Sequence, residues 1–144
     1  MTTVAHEVVN PYTLKTARVL FKLAGSADTD DFSKPISDIT FTPTSQSGSW
    51  TGCTGNVISE QGIATWVAGF GLAQDLDDDS FMLWLLEHEG EKAQVTATLK
   101  SGAKAFVFTV TLTPATIGGA VGPNPLSSTV SFPMDGKPVP TVIP

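Results

Sequence analysis

The side chains able to make or break bonds are few in this chain, and they are scattered. Its two histidines, His6 and His88, lie far apart in sequence, and neither belongs to a cluster with metal-ligand spacing. The single cysteine, Cys53, stands in SWTGCTGN with no histidine nearby, which reads as a free structural thiol rather than an activated nucleophile. One cysteine also rules out an intramolecular disulfide. The stretch Gln74–Asp79 holds four aspartates, but it lacks the alternating oxygen ligands, central glycine and closing glutamate of a calcium loop. No serine sits in a G-x-S-x-G turn, and no glycine-rich loop ends in a phosphate-binding lysine. Gly69 and Gly71 fall inside a strand-like run, which removes a dinucleotide reading. Glu87, Glu89 and Glu91 read as solvated charge. The expectation is a protein that is not an enzyme and takes no cofactor or metal.

Composition narrows the class further. At 144 residues, 41% apolar and 15% charged, the chain is a folded domain able to bury a core. Its net charge of −6, with eight dispersed Lys and Arg residues, argues against nonspecific adhesion to nucleic acid. No charged-then-apolar leader is visible, and no apolar run approaches the roughly 18 residues of a membrane span. Folding in a cytoplasm, without membrane binding, is the expectation.

The elements are organised around Ile63–Gly90, a strand, an acidic turn and the one convincing helix. Phe81, Trp84, Leu85 and His88 recur at helical spacing, while Met82, Leu83 and Leu86 make the other sides apolar too. Asp77, Asp78, Asp79 and Ser80 supply N-cap candidates and charge suited to the positive end of the helix dipole. Gly90 is the expected stop. At roughly ten residues this helix is marginal alone and must be held by packing. Two arrangements satisfy that need: a plug over one end of a sandwich, or a surface partly buried by a second subunit.

Elsewhere the period is two. Ala17–Leu23, Ile36–Thr42 and Ile63–Ala73 alternate as strands, with Trp66, Phe70 and Leu72 on one face of the third. Ala93, Val95, Ala97 and Leu99 face inward and join, through a Ser101-Gly102 turn, a strand with Phe106, Phe108, Val110 and Leu112 inward. Thr116–Val121 and Ser127–Phe132 complete the set. Residues 1–16 and 133–144, each interrupted by proline, read as extended arms. Ala24–Pro35, which includes Asp30 and Asp31, is an acidic loop. Pro43–Asn56 is a loop of Ser, Thr and Gly, long for a compact domain and so expected to have work to do. Trp50 in its middle marks either a contact with a partner or a lid over its own domain. About seven strands with one flanking helix give a mainly β fold, a sandwich or barrel. The outward residues Gln94/Thr96/Thr98, Val107/Thr109/Thr111 and Ser127/Thr129/Ser131 carry no charge. That pattern suits either plain β propensity or the wall of a channel for a polyanion.

Two segments, GLAQDLDDDSFMLWLLEHEGEKAQVTATL and VTLTPATIGGAVGPNPLSSTVSFPMDGKP, resemble the corresponding parts of major tail (tail tube) proteins of long-tailed bacteriophages. The order of elements over Ala17–Pro138 is similar as well. The resemblance implies a β-sandwich with one helix, hexameric rings of identical subunits, and stacking of rings into a tube that DNA traverses. It implies a tape measure protein and tail terminator or tip proteins as partners, and a place in the virion after assembly in a bacterial cytoplasm. Some members carry a further immunoglobulin-like domain, for which this chain is too short. By the same analogy Trp50, Cys53, Phe81, Trp84, Asp30 and Asp31 are expected at subunit or ring contacts. Thr96, Thr98, Thr109, Thr111 and Thr129 are expected to face the lumen. A secretion-system tube or head-decoration protein is a near alternative. The rival from another class is a monomeric immunoglobulin-like or carbohydrate-binding module, for which Trp50 is the one aromatic available to a sugar.

Overall fold

The computed structural model describes residues 2–5 and 11–142. Ten strands form a β-sandwich of five-, three- and two-stranded sheets, with one helix set against the core. The alternation in β1 (Arg18–Leu23) buries Val19 and Phe21 and exposes Arg18 and Lys22. β1 pairs with the two-residue β2 (Asp30–Asp31) and, on its other side, with β7 (Lys92–Thr98). β7 pairs with β8 (Ala105–Thr111), and β8 with β10 (Val139–Thr141), all antiparallel. The second sheet has β6 (Thr65–Ala73) between β3 (Ile36–Thr44) and β9 (Ser127–Pro133).

Both inner faces feed one aromatic core. Phe21 sits at its centre, with the rings of Phe81, Trp84, Phe32, Phe70 and Phe132 at centroid distances of 5.3 to 6.3 Å. Val95, Val110, Leu72 and Leu112 fill the remainder. Helix α1 (Phe81–Glu87) contributes Phe81, Met82 and Leu85 to this core. Its start follows from the sequence: Ser80 is the N-cap, and its hydroxyl accepts a hydrogen bond from the Leu83 N–H at 3.3 Å. The end is a His88 cap, and Gly90 follows at φ +84°, a conformation costly for any residue with a Cβ. The Gly90 N–H then donates to the Leu112 carbonyl, which steers the chain into β7.

β3 crosses the other sheet obliquely. Its beginning, Ile36 and Ile39, lines a groove with Val19 of β1. Further along, Phe41 packs on Phe106 and Phe108 of β8. β6 accommodates β3 through its glycines. A Cβ on Gly69 would lie 2.8 Å from the Thr40 hydroxyl oxygen, and one on Gly71 2.7 Å from an Asp38 carboxylate oxygen. The glycines therefore let β3 side chains fold over the central strand.

Three expectations are corrected. Pro43–Asn56 is not a loop: β3 runs on to Thr44, and β4 (Ser47–Thr51) pairs with β5 (Val57–Gln61) as a two-stranded extension. Thr116–Val121 is not a strand. Gly118 takes φ +100°, and its N–H and C=O are both held by the Gln74 side-chain amide at 2.9 Å. The expected C-terminal arm is tied down. Pro133 ends β9, Met134 is buried and bridges Val110, and Asp135 pairs with Lys92 at 3.0 Å. β10 then adds to the edge of β8, where the missing N–H of Pro140 is tolerated. Residues 2–5 and 11–16 are exposed and outside any strand, as an arm would be; His6 lies outside the described residues.

Candidate functional site

The feature that the core does not explain is the β4–β5 hairpin. It continues the β3–β6 pair outward, linked by a Gly62 N–H to Gln46 carbonyl bond of 2.7 Å and by a Gln61 to Ser45 side-chain bond of 2.8 Å. Every residue of both strands is exposed. Its turn is well formed: the Gly52 N–H donates to the Asn56 carbonyl at 2.8 Å, and Gly55 sits at φ +87°. One face presents Trp50 opposite Ile58, and Gly48 opposite Glu60; the other presents Thr51 opposite Val57. Trp50 is 62% exposed, Val57 60% and Ile58 54%. A two-stranded hairpin has no core of its own and is marginal in water. Large apolar side chains at its end are costly unless something covers them.

The hairpin settles one of the open alternatives for Trp50: the residue does not form a lid over its own domain. Cys53 lies in the turn of the same hairpin and is an exposed free thiol. Ile58 and Glu60 complete the Trp50 face and Val57 stands on the other; none of the three was singled out from the sequence. The signal was present, since two short β-prone runs flank the turn residues Gly52-Cys53-Thr54-Gly55-Asn56.

The remaining predicted residues fall elsewhere. Phe81 is only 2% exposed, stacked among Phe21, Phe32 and Trp84, so it has no side-chain surface to offer a neighbour. The expectation of Phe81 as a contact residue is corrected on that ground: its place in the protein's own core takes its whole surface. Trp84 is half-buried against Phe21, Phe32 and the His88 ring. Asp30 and Asp31 form β2, beside α1 rather than near Trp50. Asp31 lines a cleft of about 710 Å³ with Lys34, Asp75, Asp79 and Phe81. The Asp31 carboxylate accepts hydrogen bonds from the Ser33 hydroxyl and N–H, and lies 3.8 Å from Arg18. The Ser33 hydroxyl bond is the main reason its pKa is lowered. Partial burial opposes the shift, while the Ser33 N–H, Arg18 and Lys34 add to it.

The five threonines do not share a surface. Thr96, Thr98, Thr109 and Thr111 lie on the outer face of the five-stranded sheet, across from Leu20, Arg18, Gln94 and Lys92 respectively. Thr129 lies across from Gly71 on the outer face of the other sheet, on the opposite side of the sandwich. The two faces differ in charge. The five-stranded one carries Arg18, Lys22 and Lys92 among its threonines, with Arg18 3.8 Å from Asp31 and Lys92 3.0 Å from Asp135. The three-stranded one carries Asp38, Thr40, Thr42, Ser127, Thr129 and Ser131 around the bare backbone of Gly69 and Gly71. Among the described residues no group of three or more His, Cys, Asp or Glu is placed to hold a metal ion, and no helix is long and apolar enough to cross a membrane. No protein-family model matches this chain, and no curated protein matches it.

Proposed function

We propose that this protein is a structural subunit that assembles with copies of itself, in the manner of a bacteriophage tail tube. In that reading hexameric rings stack into a channel that delivers DNA. The observation that carries it is the β4–β5 hairpin, an arm with no core of its own that ends in an exposed Trp50–Ile58 pair. Such an arm is stabilised by a neighbour and contributes nothing evident to a monomer. The resemblance of the Gly71–Leu99 and Val110–Pro138 segments to tail tube proteins supplies the kind of assembly.

Charge favours one outer face as the channel wall within this reading. A lumen for DNA should present few Lys or Arg side chains, because each phosphate contact retards passage. The outer face of the three-stranded sheet meets that requirement, with Asp38 as its charged residue and Thr129 at its middle. The face with Thr96, Thr98, Thr109 and Thr111 also carries Lys22, together with Arg18 and Lys92, which are paired with Asp31 and Asp135, and it suits the outside of a tube better. A tape measure protein and terminator or tip proteins would be the partners, and the virion the final location.

A second reading rests on the cleft formed by Gly48, Ser49, Trp50, Ile58 and Glu60, an aromatic platform beside a carboxylate that suits a sugar ring. The test is particle size against protein concentration, with negative-stain images of anything large. Rings or tubes are the expected result. A protein that stays monomeric at every concentration and retains glycans on an array through Trp50 overturns the assembly reading in favour of the sugar-binding one.

A further inference from the structure

β9 is an outer strand of the three-stranded sheet, and no other strand pairs with its free edge. The bonds from the Met134 N–H to the Trp66 carbonyl and from the Gln74 N–H to the Leu126 carbonyl fix the alternation along the β6–β9 ladder. Ser128, Val130 and Phe132 therefore direct their backbone groups at β6, while Ser127, Thr129 and Ser131 turn theirs outward. The chain between β8 and β9 lies along those outward groups. The Thr113 hydroxyl donates to the Ser131 carbonyl at 3.2 Å, and the Ser128 hydroxyl donates to the Thr116 carbonyl at 2.6 Å. These contacts step back along β9 as the chain advances, which is the course of an antiparallel neighbour. Yet no backbone-to-backbone bond joins the segment to β9 among the described residues. It occupies the place of a fourth strand without pairing as one.

The near end of this segment is anchored, since Ala115 is buried in the core. The far end hangs on one side chain. From Thr116 to Leu126 every residue is exposed, none is charged, and three glycines and two prolines keep the backbone irregular. The Gln74 side-chain amide accepts from the Gly118 N–H and donates to the Gly118 carbonyl, both at 2.9 Å. It also donates to the Ser128 hydroxyl at 2.8 Å and lies 3.5 Å from the Ser127 carbonyl. Leu126 folds back on Gly119, where a Cβ would lie 2.9 Å from a Leu126 methyl, so these residues form one body. We infer that Thr116–Leu126 is a strap that guards the edge of β9 and opens as a unit, with Gln74 as its latch. Opening leaves the sandwich folded, because the strap gives no side chain to the core and is held by a few hydrogen bonds. It uncovers the outward N–H and C=O of Ser127, an edge of the kind that accepts a stray β strand. The strap works within a single molecule and does not rest on the assembly reading.

The Gly118 amide, bonded to Gln74, reports the latch by hydrogen exchange in NMR. Its exchange should be nearly independent of low urea, whereas the Val95 and Phe132 amides should exchange only with global unfolding. Ser128→Ala leaves the Gly118 bond in place but removes two supports, and should speed Gly118 exchange about ten-fold. Gln74→Ala should speed thermolysin cleavage before Ile117 and Val121 by a similar factor, about ten-fold, with the urea midpoint little changed. Gln74→Glu, which keeps the acceptor and loses the donor, serves where Gln74→Ala does not fold. The unlatched protein should also form thioflavin-T-positive aggregate faster in dilute solution. Adding Ser127→Pro should slow it again, since that N–H points away from β6 and a proline there removes no ladder bond. Gly118 exchange that follows global unfolding, or cleavage unchanged by Gln74→Ala, overturns the latch. A strap that opens with no change in aggregation overturns the guard. Both results are read whether or not rings or tubes form, so they are separate from the fate of the assembly reading.

Discussion

Phe21 and Trp50 are both aromatic residues on β strands, and they live in opposite conditions. Phe21 is fully buried, ringed by Phe32, Phe70, Phe81, Trp84 and Phe132. Trp50 lies on a hairpin whose ten paired residues are all exposed. The first environment accounts for why the chain folds, since burial of aromatic surface is its main stabilising term. The second does nothing for folding and is retained at some risk, because an exposed β hairpin with apolar side chains invites unwanted pairing. Stability and proposed function are thus carried by separate parts of the molecule, joined through the β3–β6 strand pair.

That separation is breakable by substitution. Phe21→Ala should lose about 4 kcal/mol of stability, the cost of a large buried cavity, seen as a shift in the urea midpoint. Trp50→Ala should leave the same midpoint within about 0.5 kcal/mol. An equal loss in both would show the hairpin to be part of the cooperative core. Ser80→Ala probes the junction between acidic turn and core. Loss of the cap bond to Leu83 should cost about 1 kcal/mol, read from the same denaturation curves.

The smallest effect concerns Asp31, whose folded pKa is depressed, first by the Ser33 hydroxyl. A depressed carboxylate contributes stability above its unfolded pKa of about 3.9 and loses it as pH falls through the lower folded value. Asp31→Asn should therefore flatten the fall in stability below about pH 4 and leave the slope near neutrality unchanged. A series of denaturation curves across acid pH measures it. An unaltered acid limb would mean that the Ser33 bond does not persist in solution.

Much of the core was legible in the sequence because periodicity reports burial. Val19 and Phe21, Ala93 to Ala97, and Phe108 to Leu112 alternate and are buried as the alternation requires. The cap was legible to within four residues, since Ser80 was one candidate beside Asp77, Asp78 and Asp79. The hairpin was not, because strands exposed on both faces have no apolar period, and Ser, Thr and Gly read as loop. β10 was hidden by its prolines, which an edge strand tolerates and an interior strand does not. The reverse error occurred at Thr116–Val121, where β-prone residues are held in an irregular course by Gln74. The groove between β1 and the start of β3 was invisible for a different reason. Leu14, Val19 and Ile36 come from separate segments, and nothing local in any of them signals the gap that they share.

The three tryptophans have an optical consequence. Trp50 is in water on the hairpin, Trp66 is half-buried at the mouth of the sandwich, and Trp84 is held in the aromatic cluster, 5.1 Å from the His88 ring. Docking of the hairpin would shift Trp50 emission to shorter wavelength while Trp84 stays unchanged. Loss of the core would release Trp84 to longer wavelength. With Trp66 replaced by phenylalanine, the emission spectrum would distinguish a molecule joining its neighbours from one coming apart.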